Sequence, residues 1–329
     1  MMDNILEIRD LKVYYKTLSG YVQAVDGVTL SIKKGESLGL VGESGCGKSS
    51  LGLSILRILP SNAQILQGNI FFEGKDLLSL SEQNMNKIRW KGISMIFQGA
   101  MNALNPVYKI EDQIVDAILE HEKIGHSQAK KRVAELYKLV GLDYQRAKEY
   151  PHEYSGGMKQ RAVIALSLAC SPKFIIADEP TTALDLIVQD QIIREMKEIQ
   201  EKLGMSLIYI SHDVSIVASS CSMIAVMYAG KIVESTDSKR LFKGPLHPYT
   251  RGLLSSHPRI KGPKRVKLLP IPGEPPDLIN PPSGCRFHPR CSERLGKICE
   301  TSQPEIKEAE KGHFVACHKL EVGRGKKSP

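Results

Sequence analysis

The chain has 329 residues, of which 42% are hydrophobic and 25% are charged, and its formal net charge is +9. No apolar run approaches the roughly 18 residues that a bilayer-spanning helix needs. Charged residues at positions 3, 7, 9 and 10 argue against the apolar core of a secretory signal. We therefore expect a soluble, cytoplasmic chain with one large domain and an appendage.

The positive charge is concentrated in the C-terminal tail. From residue 261 onward there are 14 Lys and Arg against 8 Asp and Glu. Such an excess could suit nucleic acid or anionic lipid. The tail lacks interleaved aromatic residues and recognised nucleic-acid motifs, so we expect no nucleic-acid partner and interpret it as a solvated basic surface near a membrane.

Short apolar segments near the N-terminus predict strands. They lie at residues 5–8, 22–25 and 28–32, and a further segment bounded by glycines runs from Gly68 to Gly74. Another apolar segment, residues 37–41, leads into a glycine-rich loop, and residues 49–59 after that loop are rich in Leu and Ile. This order predicts a strand, a loop and a helix.

The loop itself, residues 42–49, reads GESGCGKS and matches the phosphate-binding pattern GxxxxGK[ST] in full. Its glycines allow backbone N–H groups to turn inward around phosphate oxygens. We expect Lys48 to reach the β- and γ-phosphates and Ser49 to ligate Mg²⁺. The residues expected to contact the nucleotide here are Gly42, Glu43, Ser44, Gly45, Cys46, Gly47, Lys48, Ser49 and Ser50.

A second phosphate-binding element follows a helical stretch that begins after Gln98. Residues 155–161 read SGGMKQR, so Ser155, Gly156 and Gly157 open a helix with a hydroxyl and bare backbone N–H groups. The positive end of a helix suits a terminal phosphate. Because one complete phosphate loop is already present, we expect this element to serve a nucleotide held by another subunit.

Downstream, residues 174–179 form an apolar strand that ends in two carboxylates. Asp178 is the expected partner of Mg²⁺, and Glu179 is the expected general base that polarises the attacking water. Asp185 follows closely and is a candidate N-cap for a helix with a 3.6-residue apolar period that Gly204 ends. Residues 223–234 predict a hairpin that turns at Ala229 and Gly230.

The C-terminal end has a different composition. Residues 258–289 contain nine prolines, which predicts an extended, non-helical connection. Four of the seven cysteines crowd into the last 45 residues: Cys285, Cys291, Cys299 and Cys317. In a cytoplasmic protein such a group favours a metal site over disulfides, although the spacing matches neither zinc ribbons nor bacterial ferredoxins.

With these motifs the chain resembles the ATP-binding cassette (ABC) proteins from its N-terminus to about residue 245. The resemblance implies an α/β fold: a P-loop NTPase cassette with a RecA-like core, an antiparallel β subdomain and a helical subdomain at about residues 100–165. It also implies that Tyr15 stacks on adenine, Gln98 contacts Mg²⁺ and water, and His212 contacts the γ-phosphate. In such proteins the segment at Asp185 crosses a dimer interface. Asp185 can have this role and also cap the helix that follows it.

The remainder, residues 246–329, resembles the C-terminal extension of ATPase subunits of dipeptide and oligopeptide importers, which nickel importers share. The segment 247–250, HPYT, the prolines and the cysteines carry this likeness. Some such ATPases bind a [4Fe–4S] cluster through four tail cysteines. We therefore rank an iron–sulfur cluster first, structural zinc second and unligated or disulfide-bonded cysteines third. His288, His313 and His318 are possible zinc ligands, with solvent exposure as the alternative.

The resemblance predicts the ATP-hydrolysing subunit of a peptide importer at the cytoplasmic face of the membrane. ATP and Mg²⁺ are its expected cofactors. The expected partners are a homologous but distinct ATPase, two transmembrane permease subunits and, indirectly, a peptide-binding protein. The alternatives are an importer of nickel or another solute and a soluble cassette ATPase of iron–sulfur assembly. Cys46 replaces the Ser common in these loops, which suggests an ATPase sensitive to thiol oxidation.

Overall fold

The computed structural model describes residues 4–99, 102–182, 184–256 and 271–320. Parts of several sequence predictions lie outside these ranges: residues 100–101 of the helical subdomain, residues 258–270 of the proline-rich passage, and residues 321–329 of the basic tail. Among the described residues, no helix has both the length and the apolar character that crossing a membrane requires.

Strands and helices alternate through most of the chain. The strands are β1 (Asn4–Thr17), β2 (Gly20–Lys33), β3 (Ser37–Val41), β4 (Ala63–Phe72), β5 (Lys75–Asp76), β6 (Ile93–Ile96), β7 (Phe174–Asp178), β8 (Ser206–Ser211), β9 (Met223–Tyr228), β10 (Lys231–Asp237), β11 (Lys307–Glu310) and β12 (His313–Val315). The helices are α1 (Lys48–Leu56), α2 (Glu82–Ile88), α3 (Ile110–His121), α4 (His126–Leu139), α5 (Gly156–Ser167), α6 (Leu186–Leu203), α7 (Val214–Ser220), α8 (Ser238–Lys243), α9 (Pro248–Ser255) and α10 (Lys297–Thr301).

The described residues divide into two compact units. The first unit consists of residues 4–5, 32–37 and 72–210, and the second consists of residues 6–31, 38–71 and 211–320, with the gaps given above. In the first unit, β7 pairs in parallel with β6 on one side and β8 on the other. All three strands are buried along their length, as expected for parallel strands covered on both faces.

Helices α3, α4 and α5 pack against one another in the first unit. Their apolar stripes are buried, as the periodicity predicts; Val133 and Tyr137 of α4 are inaccessible to solvent. The Tyr137 hydroxyl is 3.0 Å from that of Tyr154, so the two buried phenols hydrogen-bond to each other. This pairing fixes the segment that leads into α5.

In the second unit, β1 lies between β2 and β4, while β9 joins β3 and β10. Strand β3 pairs in parallel with β9, and β9 pairs antiparallel with β10. Ala229 and Gly230 both have positive φ, 47° and 84°, which is the backbone of a tight hairpin turn. Strands β12 and β11 from the C-terminal region extend this sheet beyond β10.

The structure confirms the predicted order of strands and helices and shifts several boundaries. The two short strands predicted within residues 22–32 form one strand, β2. The helix after the glycine-rich loop ends at Leu56 rather than residue 59, because Arg57 adopts a left-handed conformation with φ 53° and its N–H bonds back to Leu53 and Ser54. Gly204, with φ 62°, ends α6 as predicted.

Candidate functional site

The phosphate loop, residues 42–49, connects β3 to α1 in the second unit. Lys48 is buried, with 5% of its surface exposed, and its ammonium donates hydrogen bonds to the carbonyls of Gly42 at 2.8 Å and Glu43 at 2.9 Å. These bonds hold the cation inside the curve of the loop. The loop can therefore offer phosphate oxygens a fixed positive charge beside the N-terminus of α1.

Two positions in this loop require glycine. Gly47 has φ 104°, and a Cβ there would lie 1.8 Å from the carbonyl oxygen of Ala24. At Gly42, with φ 156°, a Cβ would lie 2.1 Å from the carbonyl oxygen of Met227. The backbone of the loop is thus packed directly against neighbouring backbone, which fixes its shape before any ligand contact.

Glu43 ties the loop to the C-terminal region within the same unit. Its carboxylate forms a two-pronged ion pair with Arg290, at 2.6 and 2.9 Å, and its backbone N–H donates to the Tyr249 hydroxyl at 2.9 Å. In the sequence analysis, neither Arg290 nor Tyr249 is connected with the phosphate loop. Their partners lie 247 and 206 residues away, so no local pattern identifies them.

Cys46 points inward from the loop. It is 5% exposed, and its sulfur accepts a 3.7 Å hydrogen bond from Lys48. Burial raises the pKa of this thiol, against the opposing effect of Lys48. Because reactive cysteines are exposed and have lowered pKa values, the structure opposes the hypothesis that Cys46 makes the protein sensitive to oxidation.

Tyr15 lies beside the first turn of α1, which also carries Ser49. Its hydroxyl donates to Ser50 at 2.9 Å. Adjacent Tyr14 instead donates to Asp26 at 3.0 Å, and burial followed by the Asp26 charge raises its pKa to about 12. Of the two neighbouring tyrosines, Tyr15 is therefore the one next to the loop helix.

The predicted general base belongs to the first unit. Glu179 follows β7, and its carboxylate accepts hydrogen bonds from Gln98 at 3.1 Å and from the Thr182 hydroxyl at 3.2 Å. Its backbone has φ 45°, a left-handed conformation uncommon for residues other than glycine. The Glu179 N–H bonds to the carbonyl of Ile210 at 3.0 Å, which helps to hold that conformation. Strained residues of this kind cluster at functional sites.

Asp178, the predicted Mg²⁺ partner, ends β7 opposite Ile210 and is only 3% exposed. His212 follows β8 directly in the sequence and belongs to the second unit. The structure therefore brings together Gln98 and Glu179 in one unit and the residues of the phosphate loop in the other. Polar groups at the end of a strand can reach a ligand. The predicted side chains at or just after strand ends are Gln98, Asp178, Glu179 and His212.

The signature segment begins α5 as predicted. Ser155 is the N-cap, and its hydroxyl accepts a 3.4 Å hydrogen bond from the N–H of Met158. A Cβ on Gly157 would lie 2.9 Å from a methyl carbon of Val188 in α6, so this glycine permits close helix packing. Arg161 binds Glu195 of α6 at 2.6 Å, which fixes the two helices to each other.

Asp185 is the N-cap of α6. Its carboxylate accepts hydrogen bonds from the N–H groups of Ile187 at 3.1 Å and Val188 at 3.0 Å, which confirms the capping interpretation. Leu186 and Ile187 in the first turn are each 82% exposed. The start of α6 therefore presents an apolar surface.

The four C-terminal cysteines are all described and all reduced. Burial, followed by the nearby thiols of Cys317, Cys299 and Cys291, raises the pKa of Cys285 to about 11. The four are thus near enough to influence one another. Yet within the described ranges no three His, Cys, Asp or Glu side chains are grouped closely enough to hold a metal ion. The structure does not support the expectation of a metal-binding extension.

The three histidines considered as zinc ligands have other partners. His313 is buried and lies 2.7 Å from the carboxylate of Glu234. His318 lies 2.8 Å from the carbonyl of Ser302, and His288 lies 3.0 Å from the carbonyl of Cys285. Glu234 also accepts the N–H groups of residues 246 and 247, so it anchors two segments of the C-terminal region.

Two family models match the chain. One, described as ABC transporter, covers residues 25–182, and the other, described as oligopeptide/dipeptide transporter, C-terminal region, covers residues 233–299. The first includes the phosphate loop, the signature and the acidic end of β7. The second includes the segment with Tyr249, Arg290 and three of the four C-terminal cysteines.

Curated relatives are similar along nearly the whole chain. The oligopeptide transport ATP-binding protein OppD of Bacillus subtilis is 46% identical over 94% of this chain and 87% of its own length. The dipeptide transport ATP-binding protein DppD of the same organism is 46% identical over 96% of this chain and 95% of its own length.

Solved structures share the fold. The dimeric ATP-binding cassette MJ0796 in a post-hydrolysis state, bound to ADP and Pi, superimposes with a TM-score of 0.64 at 25% identity, covering 71% of this chain and 98% of that one. CbiO1 from Clostridium perfringens, part of an ABC transporter complex, gives a TM-score of 0.65 at 29% identity over 74% of this chain and 92% of its own. The chain has the fold of a P-loop ABC cassette and belongs to the family of ATP-binding proteins of oligopeptide and dipeptide ABC transporters.

Proposed function

We propose that this chain is the ATP-hydrolysing subunit of an ABC importer for dipeptides or oligopeptides. The match of its C-terminal region to the oligopeptide/dipeptide model argues against a soluble cassette ATPase of iron–sulfur assembly. The relatives named as peptide transport ATP-binding proteins favour peptides over nickel. An ABC importer ATPase works with membrane permease subunits, which this chain must recruit.

The observation that carries the catalytic part of the proposal is the contact between Gln98 and Glu179. A carboxylate that follows a buried strand, has a left-handed backbone and accepts an amide hydrogen bond is fixed in direction. We propose that Glu179 polarises the attacking water and that Gln98 orients this carboxylate and contacts Mg²⁺.

The remaining residues receive roles in binding. The loop N–H groups and Lys48 hold the β- and γ-phosphates, Ser49 and Asp178 serve Mg²⁺, His212 contacts the γ-phosphate and Tyr15 stacks on adenine. The residues Gly42, Glu43, Ser44, Gly45, Cys46, Gly47 and Ser50 complete the nucleotide site. Ser155, Gly156 and Gly157 serve the nucleotide of a second ATPase subunit, since their N–H groups at the start of α5 suit a terminal phosphate.

Replacement of Glu179 tests the catalytic role. In the transporter assembled with its permease subunits, Glu179→Gln is expected to lower ATP turnover by about 1000-fold and to retain MgATP binding. Glu201→Gln changes an exposed residue near the end of α6 and is the matched control. Turnover that survives Glu179→Gln at more than one tenth of the original rate would contradict the assignment.

We further propose the partners and location. The chain pairs with a homologous, distinct ATPase, binds two transmembrane permease subunits at the cytoplasmic face of the membrane, and receives peptide indirectly from a binding protein. We take residues 1–245 as the cassette and residues 246–329 as an extension. Co-purification with two membrane proteins and a second ATPase is expected; recovery of homodimers alone would contradict the pairing.

For the extension we propose a [4Fe–4S] cluster on Cys285, Cys291, Cys299 and Cys317. A single zinc ion would bring thiolates to about 3.8 Å of one another, given Zn–S bonds of about 2.3 Å. No such group is found among the described residues. The cluster is supported by four cysteines without disulfide bonds in a tail that resembles the tails of cluster-binding ATPases. Protein purified without oxygen should contain about four iron atoms per chain. Zinc, or no metal, in that protein would contradict the cluster.

A further inference from the structure

The phosphate loop contains a carboxylate that no phosphate-binding role explains. Glu43 is the second residue of the loop, and its side chain is 24% exposed. A carboxylate at this position belongs to a loop whose N–H groups are to surround a triphosphate. It therefore opposes the negative charge that the loop binds, unless a cation neutralises it.

Arg290 supplies that cation from the C-terminal region. Its side chain is 6% exposed, and both prongs of the guanidinium engage Glu43, at 2.6 and 2.9 Å. A planar fork matched to a carboxylate is the strongest geometry that such a pair adopts. The pair lies within the second unit and links positions 43 and 290 of the chain.

Other contacts fix the direction of the guanidinium. Its Nε donates to the carbonyl of Pro272 at 2.9 Å, and it lies 5.8 Å from the centre of the Tyr228 ring. Tyr228, in turn, packs 4.5 Å from the Tyr249 ring, centre to centre, and the Tyr249 hydroxyl accepts the backbone N–H of Glu43. The loop is therefore held at one residue through both its backbone and its side chain.

The sequence places this contact beside the cysteines. Arg290 directly precedes Cys291. A second buried arginine, Arg286, directly follows Cys285 and binds Asp26 at 2.6 Å and the carbonyl of Ala229 at 2.6 Å. The segment between these two cysteines thus attaches to the cassette at both ends.

We propose that Arg290 is a positioning residue of the nucleotide site: by neutralising the Glu43 carboxylate it keeps the phosphate loop able to bind a triphosphate, and it thereby makes the affinity for MgATP depend on the C-terminal extension. The inference rests on the proposed function only in taking ATP as the ligand of the loop. Arg290 touches no reacting atom in this scheme. Its effect is expected on nucleotide affinity and KM, with a smaller effect on kcat.

The test measures MgATP binding to the full-length chain by calorimetry and KM in the assembled transporter. Arg290→Gln leaves Glu43 uncompensated and should weaken MgATP binding by about tenfold. Arg290→Lys keeps the charge and loses the fork, so it should weaken binding by about threefold. Arg294→Gln, which removes an arginine that is 57% exposed and 3.9 Å from Glu300, is the matched control and should retain the original affinity.

The double variant Glu43→Gln/Arg290→Gln separates neutralisation from simple bracing. If Arg290 acts by cancelling the Glu43 charge, the double variant binds MgATP about as well as Glu43→Gln alone and better than Arg290→Gln. The proposal would be overturned if the double variant and Arg290→Gln lost MgATP affinity equally. It would also be overturned if Arg290→Gln bound MgATP as tightly as the original protein. A wild-type chain that binds no MgATP refutes the proposed function instead.

Discussion

The phosphate loop and the C-terminal extension are built in opposite ways. The loop takes its shape from the backbone: glycines at positive φ, an apolar strand before it and a helix after it, all within about twenty residues. The extension has little regular structure between residues 271 and 306 and is held by buried arginines, aromatic rings and a buried carboxylate. Local sequence therefore determines the first region, and contacts with distant residues determine the second.

The largest expected effect follows from the backbone packing of the loop. Gly47→Ala places a Cβ against the Ala24 carbonyl at a residue with φ 104°. The backbone carbonyl cannot move away without displacing its strand, and alanine is strained at a positive φ. We therefore expect MgATP affinity to fall about 1000-fold. Equilibrium binding to the full-length chain measures it.

Gly244→Ala is the control for this substitution. Gly244 has φ −153°, and a Cβ there would meet nothing within 4 Å. The Gly244→Ala variant should bind MgATP with the affinity of the original protein. Equal binding by Gly47→Ala and Gly244→Ala would show that the loop is more adaptable than its packing indicates.

The second prediction concerns the aromatic contact that attaches the extension. Phe287 is 4% exposed and packs edge-on against Tyr228 and Tyr249, with ring centres 5.1 and 5.4 Å apart. Phe287→Ala should lower the free energy of unfolding by about 3 kcal/mol. It should also weaken MgATP binding, because Tyr249 bonds to the loop at Glu43.

Phe314→Ala is the matched control, since Phe314 is 40% exposed. Urea unfolding of the two variants gives the comparison. A smaller loss of stability in Phe287→Ala than in Phe314→Ala would mean that the extension is attached by other contacts.

These two regions also explain what the sequence could and could not predict. Gly47, Lys48, Asp178 and Glu179 occur in short patterns with obligatory neighbours. Their placement at the start of α1 and at the end of β7 could therefore be predicted. The Arg290–Glu43 pair could not, because an arginine in an irregular segment has no periodicity that indicates its partner. The crowding of four cysteines into the last 45 residues, together with the family resemblance, led to a metal prediction that the side-chain geometry of the described residues does not support.

The third prediction uses pH to act on a buried histidine at the start of the extension. Burial lowers the pKa of His247 to about 4, although the nearby charge of Glu234 opposes this shift. In the unfolded chain the His247 imidazole binds a proton below about pH 6.5, whereas in the folded chain it stays neutral until about pH 4. The free energy of unfolding therefore falls as pH decreases from about 6.5 toward 4. We expect the free energy of unfolding to be about 2 kcal/mol lower at pH 5 than at pH 7 because of this residue.

His247→Asn should remove most of that difference. His247 caps α9 by accepting the N–H of Tyr249 at 3.1 Å, and Asn can cap a helix without titrating. Hydrogen bonds from His313 and from the N–H groups of Leu246 and His247 lower the pKa of Glu234 despite its burial, so its own contribution is lost only below about pH 4.5. Urea unfolding of the original protein and of His247→Asn at pH 5 and 7 measures this difference. If His247→Asn keeps the same pH dependence of the free energy of unfolding, other titrating groups cause it.

The smallest expected effect compares thiols in the two regions. Cys46 is 5% exposed and burial raises its pKa, whereas Cys291 and Cys317 are only half-buried. Alkylation requires both access and the thiolate, and the raised pKa values of all three thiols leave access as the main difference. In protein treated with a chelator, iodoacetamide should modify Cys46 about tenfold more slowly than Cys291 or Cys317, as measured by peptide mass spectrometry. Preferential modification of Cys46 would show that the loop opens readily, and it would restore the hypothesis of an oxidation-sensitive nucleotide site.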